Sequence, residues 1–183
     1  MKIRIGHSPY IANKVAIDLL KSGLVEFNEG VEPIKETIKN ILNEDIKKEM
    51  ALEEAVNDKL EENEDDIEFM RADYKALFWM IKRKIAKDYD VILDYEERYN
   101  NIAHTILDVF WNEDLVEYSV NENKIRNIIF KAMKEYIDNF DKIEDVVFEK
   151  IENYKRKLIP NTEEFEIIFQ KLYEEELKKR GML

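Results

Sequence analysis

Two tetrapeptides, "LVEF" at 24–27 and "LVEY" at 115–118, lie 91 positions apart (115 − 24) in a chain of 183 residues. When the chain is aligned with itself at this offset, matches continue over nearly its whole length. Chance similarity between acidic helices is the alternative, but a constant offset argues against it. We therefore predict a tandem duplication, with units at 1–92 and 93–183. The identical pairs include Ile11/Ile102, Leu24/Leu115, Glu26/Glu117, Ile38/Ile129, Val56/Val147, Glu61/Glu152, Phe78/Phe169 and Lys87/Lys178.

The repeated unit has the sequence pattern of a helical fold. Apolar residues recur at helical spacing, as in the stripes of the first unit at 11–20, 34–42, 52–60 and 74–85. The chain has only four Gly and three Pro, which favours long helices over tight-turned β architectures. We predict an all-α protein built from two tandem pseudo-repeat units of about four helices each.

Local signals mark several ends of the predicted helices. Ser8 is the predicted N-cap of the first helix, and Gly23 lies just past its end. Pro33 opens the second helix, and Asn161 is the predicted cap of the last one. Short strands at "KIRI" or "KDYDVILDYEE" are only weakly indicated.

The tetrapeptides themselves are predicted to be extended connectors between the first and second helices of each unit. Their Leu and Val would pack into the core. Glu26 and Glu117 would face the start of the next helix, where the helix dipole favours a carboxylate.

Charge and composition exclude several classes of protein. The net charge of −12, from 41 acidic and 29 basic residues, makes general binding of nucleic acid unfavourable. The absence of Cys excludes disulfides and thiolate metal sites and fits a reducing compartment. No apolar run approaches the roughly 20 residues of a membrane span, and the N-terminus lacks the apolar segment of a signal peptide. We expect a cytoplasmic protein.

Motifs for catalysis or cofactor binding are missing from the sequence. It has no Gly-rich phosphate loop and no Gly-x-Ser-x-Gly elbow, and His7 and His104 lack neighbours at metal-ligand spacing. We therefore predict no catalytic residue, no metal and no cofactor. The one carboxylate pair that pseudo-symmetry could bring together is Glu26 and Glu117. Two separate helix-capping or ion-pairing glutamates are the favoured alternative.

One basic stretch, "LFWMIKRKIAK" at 77–87, also contains an indole. A basic amphipathic helix can bind nucleic acid or another acidic surface. The favoured alternative is a solvated face that balances the acidic run at 61–68, with the indole partly buried. The candidate partner-binding residues are Trp79, Lys82, Arg83, Lys84 and Lys87.

The segments "IAxxI…LVE", "IEDVV" and above all "FQKLYEEELKKRG" resemble an uncharacterised bacterial family, catalogued as domain of unknown function 507. Some members are a single unit of about half this length, so the chain resembles a double-unit member. The resemblance implies no activity and supplies no catalytic residue. The first unit departs from the family's ending, because "FWMIKRKIAKDYD" stands in its place.

These patterns favour an interaction or scaffold protein that binds a protein partner. A nucleic-acid or acidic-surface binder using 77–87 is the alternative, and an enzyme is the least favoured class. A half-size relative would bury its apolar stripe by pairing two-fold with a second copy. We therefore expect an apolar contact between the two units, drawn from the last helices around Phe78 and Phe169.

Overall fold

A computed structural model describes residues 5–64, 67, 73–154 and 162–181. In these residues the chain forms six α-helices and one small antiparallel sheet, which confirms the all-α prediction. Short 3-10 turns at Ile5–His7 and Ala86–Tyr89 lie directly before the first helix and directly after the third. The elements are α1 Ser8–Ser22, β1 Glu26–Phe27, α2 Val31–Glu61, α3 Tyr74–Ile85, α4 Tyr95–Asn112, β2 Val116–Glu117, α5 Glu122–Glu152 and α6 Glu163–Lys179.

The two longest helices, α2 and α5, each have 31 residues, and their first residues are 91 positions apart (122 − 31). Each replaces two helices predicted from the sequence. The predicted break between Leu42 and Leu52 is wrong, because that segment contains no Gly or Pro and Ile46 continues the buried stripe through it. The described residues of each half therefore form three α-helices rather than four.

The helix ends agree only partly with the predicted signals. Gly23 ends α1 in the left-handed conformation with φ 64°, as predicted. The N-cap is His7 instead of Ser8, whose hydroxyl donates to Asn43 at 2.6 Å. Thr162 caps α6 by accepting from a backbone N–H, whereas Asn161 lies outside the described residues.

Neither weakly indicated strand is seen in the described part of the chain. Residues 2–4 of "KIRI" lie outside it, and Ile5 belongs to a 3-10 turn. "KDYDVILDYEE" forms the end of the second 3-10 turn, an irregular stretch and the start of α4.

The main core joins both halves of the sequence. Helix α1 packs against both α2 and α5, α4 packs against the same two helices, and α6 covers α5. A second, smaller cluster lies between the C-terminal part of α2 and α3, with Leu52, Val56 and Leu60 at its centre. Fully buried members of the main core include Ile11, Val15, Leu19, Ile38, Leu42, Ile106, Phe110, Ile125, Ile129 and Met133.

The contact between the halves is apolar, as expected, but most of it does not use the last helices. Phe78 packs against the smaller cluster and Phe169 against the main core. The halves meet instead through α1 against α5 and α2 against α4. The expectation placed on Phe78 and Phe169 holds only in part, because each last helix packs mainly on the long helix of its own half. Helix α6 still contributes to the contact, since the ring of Tyr173 lies 5.8 Å from that of Tyr10 on α1 and the Tyr10 hydroxyl donates to Glu174.

Candidate functional site

The two connector glutamates lie directly opposite each other. β1 pairs antiparallel with β2 in the register Glu26↔Glu117 and Phe27↔Val116. The backbone N–H of Asn28 donates to the carbonyl of Leu115 at 3.0 Å, which extends the pairing by one position. Opposite residues of an antiparallel pair point to the same face, with Cβ atoms about 5 Å apart. The sheet therefore brings the two carboxylates together on one side.

The connectors occupy the places predicted for them, between α1 and α2 and between α4 and α5. Val25, Leu115 and Val116 are buried, so the apolar residues of each tetrapeptide do anchor it in the core. Glu26 and Glu117 are exposed. A carboxyl that acts as a general acid at neutral pH needs an apolar, buried environment, and this pair lacks one.

A cleft of about 400 Å³ opens beside this pair. Its aromatic wall consists of Trp111, which is 60% exposed, and Tyr118, with ring centroids 5.5 Å apart. Leu24 of the first connector and Val120, two residues after the second, complete the apolar lining of the cleft. We name this site the connector cleft; its lining residues are Gly23, Leu24, Glu26, Trp111, Glu117, Tyr118, Ser119 and Val120.

Sequence reasoning missed Trp111 as a site residue. The signal was present, because the apolar stripe of α4 runs through Ile102, Ile106 and Phe110, and Trp111 lies beside this stripe on the solvent side. Trp is enriched at the energetic centres of protein interfaces, which makes the exposed Trp111 a candidate binding residue. Only the tertiary structure, in which Trp111, Glu26 and Glu117 line the same cleft, shows that it lies next to the glutamate pair.

The second candidate site is the outward face of α3. Trp79 is 40% exposed, consistent with the expected partial burial, and the adjacent Met80 is 56% exposed. Arg83, Lys84 and Lys87 are also exposed. Trp79, Met80, Arg83 and Lys84 fall at i, i+1, i+4 and i+5 of α3 and so lie on its outward side, and Lys87 follows in the adjoining 3-10 turn. We call these five residues the α3 face. Residues 61–64 of the acidic run are exposed, and residues 65, 66 and 68 lie outside the described residues.

Lys82, grouped with these residues by sequence, points inward. Its Nζ lies 3.2 Å from Glu49 and 2.8 Å from Glu53, and 5.2 Å from the ring centre of Trp79. Burial opposes the charged form of Lys82, but the hydrogen bond to Glu53 and the charge of Glu49 outweigh it, so the pKa of Lys82 is raised. Lys82 therefore anchors α3 to α2, and we leave it out of the α3 face.

The other side of Glu49 is occupied by a buried arginine. Arg98 Nη1 donates to Glu49 at 2.7 Å, and its Nη2 lies 2.6 Å from Asp45. Glu49, Lys82 and Arg98 are all at least 96% buried. This buried ion network links α2, α3 and α4 and therefore holds these three helices together.

A buried aromatic cluster stands in the other half. The hydroxyls of Tyr136 and Tyr173 are 2.8 Å apart, and the ring of His7 lies 4.0 Å from that of Phe140. Burial raises the pKa of Tyr173 to about 12 and that of Tyr136 further. Tyr136, Phe140 and Tyr173 belong to the main core, so we assign the cluster a structural role there.

No group of three or more His, Cys, Asp or Glu side chains in the described residues is arranged to hold a metal ion. His104 is exposed, 3.7 Å from Asp108 on the next turn of α4. Among the described residues, no helix is both long and apolar enough to cross a membrane.

Comparison with curated proteins gives no match. A family model matches almost the entire chain, in agreement with the resemblance noted in its sequence. The chain belongs to the family described as "Protein of unknown function (DUF507)", whose model covers residues 1–182.

Proposed function

We propose that the chain is a non-catalytic interaction or scaffold protein that binds an acidic segment of a partner protein through the α3 face. The observation that carries this proposal is the exposure of Trp79 and Met80 on the same side of α3 as Arg83 and Lys84, with the exposed Lys87 in the turn that follows. Trp and Arg are enriched at the energetic centres of protein interfaces, and Met adapts to irregular surfaces. An acidic segment with apolar residues complements such a face.

Nucleic acid is the second candidate partner. An exposed indole beside Arg83, Lys84 and Lys87 could stack on an unpaired base while the cations contact phosphates. Three cations neutralise few phosphates, and the net charge of −12 repels a polyanion over longer distances. We therefore favour a protein partner.

The cytoplasm is the compartment that we propose, since a chain without Cys gains nothing from an oxidising environment. We also propose that the chain arose by duplication of a unit of about 91 residues. The equal lengths of α2 and α5, their offset of 91 and the pairing of Glu26 with Glu117 support a duplication.

Charge reversal tests the α3 face against a matched control. The test variant carries Arg83→Glu, Lys84→Glu and Lys87→Glu. The control carries Lys124→Glu, Lys131→Glu and Lys142→Glu, three exposed lysines of α5 with the same change in charge. Each tagged protein is incubated with lysate of the native cell, and bound proteins are compared by quantitative mass spectrometry.

We expect the test variant, but not the control, to lose a partner that the unchanged chain retains, and Trp79→Ala to weaken the same interaction. Equal retention by both triple variants would contradict the proposal. A labelled single-stranded RNA, titrated at about 50 mM and about 200 mM salt, tests the second candidate. Salt-sensitive RNA binding that only the test variant loses would favour nucleic acid.

A further inference from the structure

We propose that the connector cleft binds a lysine- or arginine-bearing segment of a partner protein, with the cation held between Glu26 and Glu117. This inference goes beyond the proposed function, because none of the cleft residues belongs to the α3 face. The charges, the walls and the size of the cleft all indicate a cationic segment as its ligand.

The two carboxylates of the glutamate pair carry like charges that no positive charge in the described part of the chain neutralises. Like charges placed directly opposite in an antiparallel pair repel each other. Within the described part of the chain, neither Glu26 nor Glu117 has a cationic partner, and the lining of the cleft contains no Lys or Arg. A cation placed between them would convert this repulsion into two attractions.

The walls of the cleft favour an organic cation over a metal ion. Trp111 and Tyr118 present ring surfaces beside the carboxylates, and aromatic faces attract ammonium and guanidinium groups. Leu24 and Val120 supply apolar surface on which the methylene stem of a long side chain can lie. Ca²⁺ takes about six to eight oxygen ligands, and two carboxylates supply at most about four of them.

The size of the cleft favours a protein segment over a small polyamine. A volume of about 400 Å³ lies within the range of pockets that enclose drug-sized ligands, and it exceeds a single lysine side chain. Apolar residues on both sides of the pair leave room for the neighbours of the cationic residue. A polyamine would leave that apolar surface uncovered.

The test uses the full chain with Trp79→Phe, so that Trp111 is the only indole. The probe is the peptide acetyl-Lys-Leu-Lys-Leu-Lys-amide, titrated while Trp111 fluorescence is measured. Three further probes are the same peptide with acetylated lysines, spermidine, and calcium chloride. We expect the basic peptide to bind measurably tighter than all three.

The decisive comparison is between two double variants with equal charge. Glu26→Gln with Glu117→Gln should weaken binding of the basic peptide about tenfold, since two ion pairs and their cation–π setting are lost. Glu54→Gln with Glu61→Gln, two exposed carboxylates of α2, should leave it unchanged. Thermal unfolding of each variant verifies that it is folded.

Equal weakening by both double variants would reduce the effect to net charge and overturn the proposal. Spermidine binding as tightly as the peptide, or calcium displacing the peptide at equal concentration, would overturn it in favour of a polyamine or a metal site. Trp79→Phe is present in every protein of this test, whereas the lysate experiment on the α3 face uses chains without the Glu26 and Glu117 substitutions, so failure here is distinguishable from failure of the proposed function.

Discussion

Glu49 and Phe140 lie 91 positions apart (140 − 49), and each partner of Glu49 lies 91 positions from a partner of Phe140. Glu49 contacts Lys82 and Arg98, and Phe140 contacts His7 and Tyr173. The contacts of Glu49 are ionic, whereas those of Phe140 are aromatic. The neighbours of the two residues are related as Lys82/Tyr173 and His7/Arg98.

The difference between the ionic contacts of Glu49 and the aromatic contacts of Phe140 explains why the interior has two hydrophobic clusters rather than one. Along α5, Phe140 joins Ile137 to Ile143, and all three belong to the main core. Along α2, the charged Glu49 separates Ile46, in the main core, from Leu52, in the smaller cluster. The ion network therefore marks the boundary at which α3 is attached to the rest of the molecule.

Glu49→Gln should destabilise the protein strongly. The substitution leaves Lys82 and Arg98 buried with less carboxylate charge than they need, and breaking a buried ion pair on one side costs about 3 kcal/mol. Urea unfolding monitored by circular dichroism measures the free energy of unfolding. The control Glu54→Gln, an exposed carboxylate on the same helix, should change it by less than about 0.5 kcal/mol. A similar small effect for both would show that the network contributes nothing net.

The tyrosine pair predicts a loss of stability at alkaline pH. Burial raises the pKa of Tyr136 and Tyr173 in the folded protein, so both stay protonated where an unfolded tyrosine ionises. Their contribution is fully present below pH 10 and is lost as the pH rises from there towards the folded pKa. Each such group lowers the free energy of unfolding by about 1.4 kcal/mol per pH unit in that window.

Tyr136→Phe isolates this effect. The variant loses the hydrogen bond to Tyr173 and should be less stable at neutral pH by about 1 kcal/mol. Above pH 10 its free energy of unfolding should fall less steeply than that of the unchanged protein, because one titrating group is gone. Tyr74→Phe, at an exposed position, serves as the control. Urea unfolding between about pH 8 and about pH 11 gives both slopes, and identical slopes for Tyr136→Phe and the unchanged chain would contradict the assignment.

The sequence is sufficient to predict the helical class and the connectors, because periodicity and the offset of 91 are properties of the chain itself. The sequence pattern divides the apolar residues of α2 into two stripes, at 34–42 and 52–60, and the break predicted between these stripes is wrong. Glu49 interrupts that stripe, and a lone charge on an apolar face was the available signal of the buried network. Its partners, Lys82 and Arg98, come from other helices and depend on tertiary packing.

The candidate site was predictable only in part. The offset suggested that Glu26 and Glu117 could meet, and the register of the sheet places them opposite each other. The position of Trp111 beside them is not predictable from the sequence, because it depends on how α4 packs against the rest of the fold. Grouping Lys82 with Arg83 by sequence proximity ignored that Lys82 lies four residues after Phe78 and three before Ile85, on the side of α3 that packs against α2.

Removing one charge from the connector pair should stabilise the protein. Glu26→Gln relieves the repulsion across the antiparallel pair and should raise the free energy of unfolding by about 0.5 kcal/mol at low salt. The gain should shrink in about 1 M salt, where screening acts over about 3 Å. Glu29→Gln removes an equal charge from a nearby exposed position outside the sheet and serves as the control. A gain of the same size in the control, or no salt dependence, would contradict this interpretation.

Residues 1–92 expressed alone should not form a stable monomer. Without the second half, α1 loses α5 and α2 loses α4, so buried residues such as Ile11, Val15 and Ile38 become exposed to water. Each fully exposed side chain of this kind costs about 2 kcal/mol, and a few of them exceed the stability of an ordinary domain. Co-expression with residues 93–183 should restore a folded complex, since the break falls in the segment before α4. Size-exclusion chromatography with light scattering, together with circular dichroism, distinguishes the outcomes. A monomeric half that unfolds cooperatively would show that the contact between the halves is dispensable.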